Sequence, residues 1–356
     1  MRTLSDILDE RTGRGELREI LDGGWVRCRA CAHRCLMAEG ARGACRVRRN
    51  RGGELYVPFG YVSGAQCDPI EKKPFFHVRP GALAYSFGML GCNLRCDYCQ
   101  NWITSQALRD PGSAVFPQEA TAGGLVAAAL DGGAGIVVST YNEPLITGEW
   151  AAAVFREARA AGLLTGYVSN GFATPEAWDY IGPWLDLCKI DLKTFDESGY
   201  RRLGGGLEPV LDSIRTLFRR GVWVEVVTLL VPGFNDSDPQ LRGMAEFIAG
   251  VSPDIPWHVT AFHPDYRMTD SRRTAPADLV RAAGIGRASG LRYVYAGNLP
   301  GRLGEWENTR CPGCGRLLIE RRGYRITGRA LGAEGRCPSC GRAVPGRWGE
   351  GTGPQP

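Results

Sequence analysis

Cys92, Cys96 and Cys99 stand in the stretch GCNLRCDYCQNW with the spacing C-x3-C-x2-C. Three thiolates on so short a loop can hold three irons of a [4Fe–4S] cluster. No fourth ligand follows nearby. An iron without a protein ligand can bind substrate, by the logic that separates open catalytic zinc sites from closed structural ones. The chain has thirteen cysteines, an odd number. Cys28, Cys31, Cys35 and Cys45 form a second set, Cys311, Cys314, Cys337 and Cys340 a third, and only Cys67 and Cys188 stand apart. The N-terminal residues are charged throughout and carry no apolar core of a secretory signal. Thiols in such a chain read as metal ligands or catalytic groups rather than disulfides, and the expected location is cytoplasmic.

The elements that must position these residues follow from composition and periodicity. With 356 residues, 44% hydrophobic and 23% charged, the chain resembles an ordinary globular protein of about two domains. A mostly disordered chain is excluded, and no apolar run is long enough for a membrane span. A net charge of +5 is too mild for a dedicated nucleic-acid binder. Eleven arginines fall between Arg11 and Arg51. They read as a solvated face, with an anion-binding face as the sharper alternative. From residue 82 to 296, short β-branched or aromatic runs alternate with longer stretches of i, i+3/i+4 apolar spacing. The runs at 82–90, 135–140, 163–170, 185–192, 222–231, 257–262 and 291–297 read as strands. The intervening stretches, most ending in Gly, read as helices. Such alternation predicts a parallel α/β sheet with active groups at the C-terminal ends of its strands.

With the aromatic Tyr98 before its last cysteine, the C-x3-C-x2-C loop resembles the signature of radical S-adenosylmethionine (radical SAM) enzymes. In that family the open iron chelates the amino and carboxylate groups of S-adenosylmethionine. Reductive cleavage then yields a 5′-deoxyadenosyl radical that abstracts hydrogen from substrate. Further strand ends are similar to those of glycyl-radical-enzyme activases. Thr140-Tyr141-Asn142-Glu143-Pro144 stands where the family has a Gly-Gly-Glu-like element, without its glycines. Val168-Ser169-Asn170-Gly171-Phe172, Lys189-Ile190-Asp191-Leu192-Lys193, Leu230 to Asp236 and Phe262-His263-Pro264 follow in order. The resemblance implies that Asn142 and Glu143 bind the SAM amino end. It implies that Ser169, Asn170, Lys193 and His263 line the carboxylate and ribose. It is closest to the radical SAM enzymes of the AmmeMemoRadiSam system, called pyruvate formate-lyase-activating-enzyme-like, and runs from about residue 25 to 348. It includes the Asp68-Pro69-Ile70-Glu71-Lys72-Lys73-Pro74 segment. The implied fold is an incomplete (β/α)6 radical SAM barrel, and the implied partner is a reductant such as flavodoxin or ferredoxin.

The accessory cysteines predict two flanking lobes. Cys311-x2-Cys314 and Cys337-x2-Cys340, joined by a β-like stretch, read as a zinc ribbon with structural zinc as the default. Cys28-x2-Cys31-x3-Cys35-x9-Cys45 suits structural zinc first and a second iron–sulfur cluster as the alternative, and His33 could replace one thiolate. Cys188 reads as a buried core thiol, and spacing assigns nothing to Cys67. The expected divisions are an N-terminal metal lobe (1–80), a radical SAM partial barrel (81–300), a ribbon (301–348) and a loose tail (349–356). Three functions compete. Direct radical modification of a small molecule or RNA ranks first. An activase forming a glycyl radical on a partner protein is second. A non-catalytic iron–sulfur or zinc scaffold is third.

Overall fold

The computed structural model describes residues 3–113, 115–332 and 334–349. Of the tail expected to be loose, only Gly349 falls within the described residues.

The seven runs that read as strands all form one sheet. They are β2 (Leu83–Gly88), β3 (Ile136–Ser139), β4 (Leu164–Ser169), β5 (Leu187–Asp191), β6 (Trp223–Leu230), β7 (Trp257–Ala261) and β8 (Val294–Gly297), each pairing parallel with the next. An eighth strand, β1 (Gly64–Pro69), lies antiparallel on β2 and forms the other edge. It comes from the segment expected to belong to the N-terminal lobe. Six helical crossovers join the parallel strands, through α1 (Ala122–Asp131), α2 (Gly148–Ala160), α3 (Pro175–Ile181), α4 (Glu197–Arg202) with α5 (Glu208–Arg219), α6 (Asp238–Val251) and α7 (Pro276–Ala288). Parallel strands require such crossovers, and their helices pack against the sheet. All four residues of β3 are buried.

Local chemistry sets the helix starts. Thr121 Oγ1 accepts from the Gly124 N–H at 3.0 Å, and Thr174 Oγ1 accepts from the Ala177 N–H at 3.1 Å. Each satisfies a main-chain donor that the first turn leaves orphaned. Thr174-Pro175 places its cap and a fixed φ at the start of α3, a short helix that apolar periodicity alone does not reveal.

Between the sheet and the N-terminus lie two small antiparallel sheets. One contains Thr12–Arg14, Arg49–Arg51 and Glu54–Pro58; the other contains Arg18–Ile20, Val26–Cys28 and Leu36–Met37. The arginines here are largely matched within the chain. Arg42 and Arg49 share Asp9, Arg34 takes Glu176, and Arg18 takes Glu54. Arg48 departs from a solvated face altogether: it is 1% exposed and bidentate to Glu149 of α2.

The C-terminal lobe is a three-stranded antiparallel sheet of Thr309–Arg310, Leu317–Arg322 and Arg325–Arg329. It packs where β6, β7 and β8 begin, through a buried polar plug. Glu225 accepts from the Phe76 and His77 N–H groups at 3.0 and 2.9 Å and lies 2.6 Å from His258 Nε2. Arg321 of the lobe donates to Phe76 O and Thr309 Oγ1, both at 2.7 Å. Burial opposes the Glu225 charge, but the His258 hydrogen bond holds its carboxyl below the usual range.

Candidate active site

Alternate residues of successive strands, Val168 on β4, Lys189 and Asp191 on β5, Val227 and Leu229 on β6, and His258 and Thr260 on β7, line one cavity of about 630 Å³. Strand periodicity sends every second side chain to the same face, so the sheet wraps around this space. Cys96, Tyr98 and Cys99 open onto it from the loop after β2. The segment Glu71–Pro74 forms another wall, and Asn298–Pro300 with Gly323 and Tyr324 of the C-terminal lobe complete the lining.

The cysteine loop is held from several sides. The Leu94 N–H donates to Cys92 Sγ at 3.3 Å, and Cys99 Sγ lies 3.2 Å from Ser105 Oγ. Gly91 precedes Cys92 at φ +97°, where a Cβ would meet Val47 at 2.9 Å and Cys45 O at 3.2 Å. Only glycine takes that turn and that approach together. Three thiols beside an open cavity, with amide donors and the Lys193 charge beside Cys96 and Cys99, fit a cluster bound by three protein ligands.

Beside the cysteines lies a charged triplet. Lys189, Asp191 and Lys193 project from one face of β5 and its extension, and Asp191 pairs with both lysines, at 3.2 Å for Lys193. Burial disfavours the Asp191 charge, yet the two ammonium groups bring its carboxyl down to about 2. Burial likewise works against the Lys193 charge, but Asp191 and Cys96 raise it well above the usual lysine value. An anion entering here meets two cations and one carboxylate.

The residues implied by resemblance fall into two groups. Tyr98, Lys193 and His263 line the cavity. His263 is 48% exposed at the rim, with Nδ1 4.0 Å from Asp265. Asn142, Glu143, Ser169 and Asn170 lie buried beneath the lining, with their polar atoms turned on the chain itself. Asn142 Oδ1 accepts from the Met89 N–H at 2.9 Å. Glu143 accepts from the Leu145 N–H, the Ser169 hydroxyl and the Asn170 N–H at 3.1, 2.7 and 2.8 Å. Burial pushes its carboxyl up to about 7 despite these donors. Asn170 Nδ2 donates to Asn93 Oδ1 at 2.7 Å, beside Cys92. The missing glycines leave a conformational trace. Tyr141, where the resemblance has glycine, takes φ +68°, and Lys73 donates to its hydroxyl at 3.2 Å. Such a backbone is costly for a bulky residue and marks functional sites.

Sequence reasoning missed several lining residues. Lys189 and Asp191 carried a signal: charges at every second position of an apolar strand. Glu71 carried only its place in the Asp68–Pro74 segment of the resemblance, with no role, because a segment remote in sequence brings it here. Its Oε1 accepts from the Gly81 N–H at 2.9 Å, and Oε2 is buried without a partner. Burial raises its carboxyl above the usual range.

In the C-terminal lobe, the sulfurs of Cys311, Cys314, Cys337 and Cys340 all lie within 4.8 Å of one another. Cys311 and Cys340 are 3.5 Å apart, Cys314 and Cys337 3.6 Å, and the Gly313 N–H donates to Cys311 Sγ at 3.4 Å. Four thiolates so gathered fit a ribbon closed on one metal ion.

Comparison with known proteins agrees with this geometry. The family model of the radical SAM superfamily matches residues 88–245, from the end of β2 into α6. An uncharacterized protein of Methanocaldococcus jannaschii is 38% identical over 85% of this chain and 90% of its own. A pyruvate formate-lyase-activating enzyme of Staphylococcus epidermidis is 28% identical, over 52% of this chain and 76% of its own. Among solved structures, a radical SAM methyltransferase from Sphaerobacter thermophilus has the same fold at TM-score 0.50 and 16% identity, covering 74% of this chain and 76% of that one. A cysteine loop closing the first parallel strand, a cavity at the strands' C-terminal ends and these likenesses converge: the chain is an enzyme of the radical SAM superfamily, similar to pyruvate formate-lyase-activating enzymes.

Proposed function

We propose that this protein cleaves S-adenosylmethionine reductively and uses the resulting radical to modify a small molecule or RNA directly. The carrying observation is the cavity, where two thiols of the three-cysteine loop and the Lys189–Asp191–Lys193 triplet share one space of about 630 Å³. That volume is typical of small-molecule pockets. Cys92, Cys96 and Cys99 would hold a [4Fe–4S] cluster, which supplies the electron and the open iron that chelates the amino acid end of S-adenosylmethionine.

This chain's own residues bind and orient. Lys193 takes the substrate carboxylate, while Asp191 holds both lysine heads at the wall and keeps the added charge local. Tyr98 closes the floor against Phe234, with ring centroids 5.7 Å apart. His263 stands at the rim for the ribose. Glu143, Ser169 and Asn170 act as positioning residues: their mutual hydrogen bonds fix the ends of β3 and β4 beneath the cysteine loop. Glu71 and Lys72 also line the cavity, Lys72 paired with Asp68 at 2.9 Å, and the unpartnered Oε2 of Glu71 is the group left to engage the second substrate.

The ribbon cysteines hold structural zinc. The electron comes from a reductant of the flavodoxin or ferredoxin class. Thirteen unpaired thiols suit a reducing, cytoplasmic setting. No helix among the described residues is long and apolar enough to cross a membrane.

The test is anaerobic. Reconstituted protein receives dithionite and S-adenosylmethionine, and 5′-deoxyadenosine is quantified beside a Cys96→Ala control. Product that disappears in the control supports the reading; no product from a fully loaded protein offered candidate substrates overturns it. A second reading, activation of a glycyl radical enzyme, is favoured by the names of relatives such as the Staphylococcus epidermidis enzyme. It predicts a glycyl radical signal on a partner protein incubated with this one.

A further inference from the structure

The N-terminal cysteines Cys28, Cys31, Cys35 and Cys45 take no part in the chemistry above. Cys28, Cys31 and Cys45 are buried, Cys35 is partly so, and none is in a disulfide. Main-chain amides face every one of the four sulfurs. The Ala44 N–H donates to Cys35 Sγ at 3.2 Å. The amides of Ala30, His33 and Val47 face Cys28, Cys31 and Cys45, and that of Arg48 also faces Cys45. An amide two residues on, aimed at the sulfur, is the arrangement at Cys92 and at Cys311 too. A neutral thiol is a weak acceptor, so these amides suit thiolates. Four thiolates, three of them buried, beside one buried guanidinium, that of Arg48, need a further cationic core.

The spread of the sulfurs tells which core. A single zinc at about 2.3 Å from each of four thiolates draws them within about 4 Å of one another. The ribbon cysteines are so gathered. Among the described residues they are the only group of three or more metal-binding side chains whose ligand atoms all lie within 4.8 Å. No three of the N-terminal sulfurs meet that limit, and neither do Cys92, Cys96 and Cys99. A cubane, which gives each thiolate its own iron, requires the wider spacing. We propose that Cys28, Cys31, Cys35 and Cys45 bind a second [4Fe–4S] cluster, ligated at all four irons.

The second site shares a wall with the first. Asn93, next to Cys92, hydrogen-bonds Cys31. Arg109 donates to the carbonyls of Ala44, Cys92 and Leu94. Gly91 lies against Cys45 O and Val47. A cluster with no open iron cannot chelate substrate; what it exchanges with its neighbour is one electron, with no bond made or broken. That role rests on the radical SAM reading of Cys92, Cys96 and Cys99, whereas the presence of the cluster does not.

The experiment uses the full chain in which Cys92, Cys96 and Cys99 are all changed to Ala, reconstituted anaerobically with iron and sulfide. About four irons and four sulfides per chain, with an electron paramagnetic resonance signal after dithionite, are expected. Zinc in place of iron at these cysteines, or no iron in a variant that keeps the wild-type circular dichroism, overturns the proposal. Should that variant not fold, the wild type decides: about eight irons by Mössbauer counting support the second cluster, and about four overturn it. Failure of the radical SAM reading looks different, because a wild type carrying eight irons would then release no 5′-deoxyadenosine.

Discussion

Lys193 and Asp191 show how much of the site rests on a few charges. Lys193→Met removes one of two cations at the cavity wall and leaves Asp191 with Lys189 alone. The affinity for S-adenosylmethionine, measured by calorimetry on the reconstituted protein, is expected to fall about tenfold, the worth of one charged hydrogen bond. Iron content should stay unchanged. At this scale the sequence was legible where residue type alone bears the chemistry, as with the three cysteines. It was less so where a polar group had two possible employers. Asn142, Glu143, Ser169 and Asn170 match the family positions, yet their atoms satisfy buried neighbours. A sequence shows that a carboxylate is present; which donors reach it first is set by the packing of two strand ends.

At the scale of elements, the Arg48–Glu149 pair joins the N-terminal lobe to α2. Glu149 also accepts from the Glu16 and Leu17 N–H groups at 3.1 and 3.3 Å. Glu149→Gln leaves a buried guanidinium without its charge partner and should cost about 3 to 5 kcal/mol in urea unfolding. Arg48→Met combined with Glu149→Leu should cost less than the single change, because no charge is stranded. The plug beneath the sheet gives a pH signature. His77 Nδ1 lies 2.7 Å from Pro345 O, which can only accept, so Nδ1 carries the proton. Nε2 then accepts from the Tyr295 hydroxyl at 2.7 Å. Burial lowers this imidazole to about 4. Below pH 6.5 the unfolded chain binds a proton that the folded chain refuses until about pH 4. Stability therefore falls as pH drops through that window, by up to about 3 kcal/mol. The difference between wild type and His77→Gln across this pH range isolates the effect. The seven parallel strands of the sheet were legible, since short β-branched runs between Gly, Asn and Asp leave little alternative, whereas the antiparallel edge strand β1, with little apolar content, was not. The helix α3 was not, because seven residues give too few turns for periodicity to register.

Across the whole molecule, two cysteine lobes flank one sheet at opposite ends of the chain, and neither is an appendage. The N-terminal lobe meets the three-cysteine loop, and the C-terminal lobe both plugs the sheet and reaches the cavity. Such contacts join residues more than two hundred positions apart, as Phe76 with Arg321, and no local pattern announces them. Chelation should expose this dependence. Removing metal from the four ribbon thiols takes away the folding energy of that lobe. It should lower the thermal midpoint of the whole chain instead of melting the ribbon alone. Scanning calorimetry with and without a zinc chelator checks this; a separate low-temperature transition with an unmoved main one would contradict it.

Tyr324 and Gly323 carry one further consequence. They belong to the lobe of the four gathered thiols, and they line the cavity proposed to take substrate. If the ribbon's ion sets the placement of these two residues, a molecule that touches them binds the metal-loaded chain more tightly than the metal-free chain. Thermodynamic reciprocity then runs the other way with equal strength. An occupied cavity would then tighten the grip of the four ribbon thiols on a bound ion, and loss of that ion would weaken the hold on substrate.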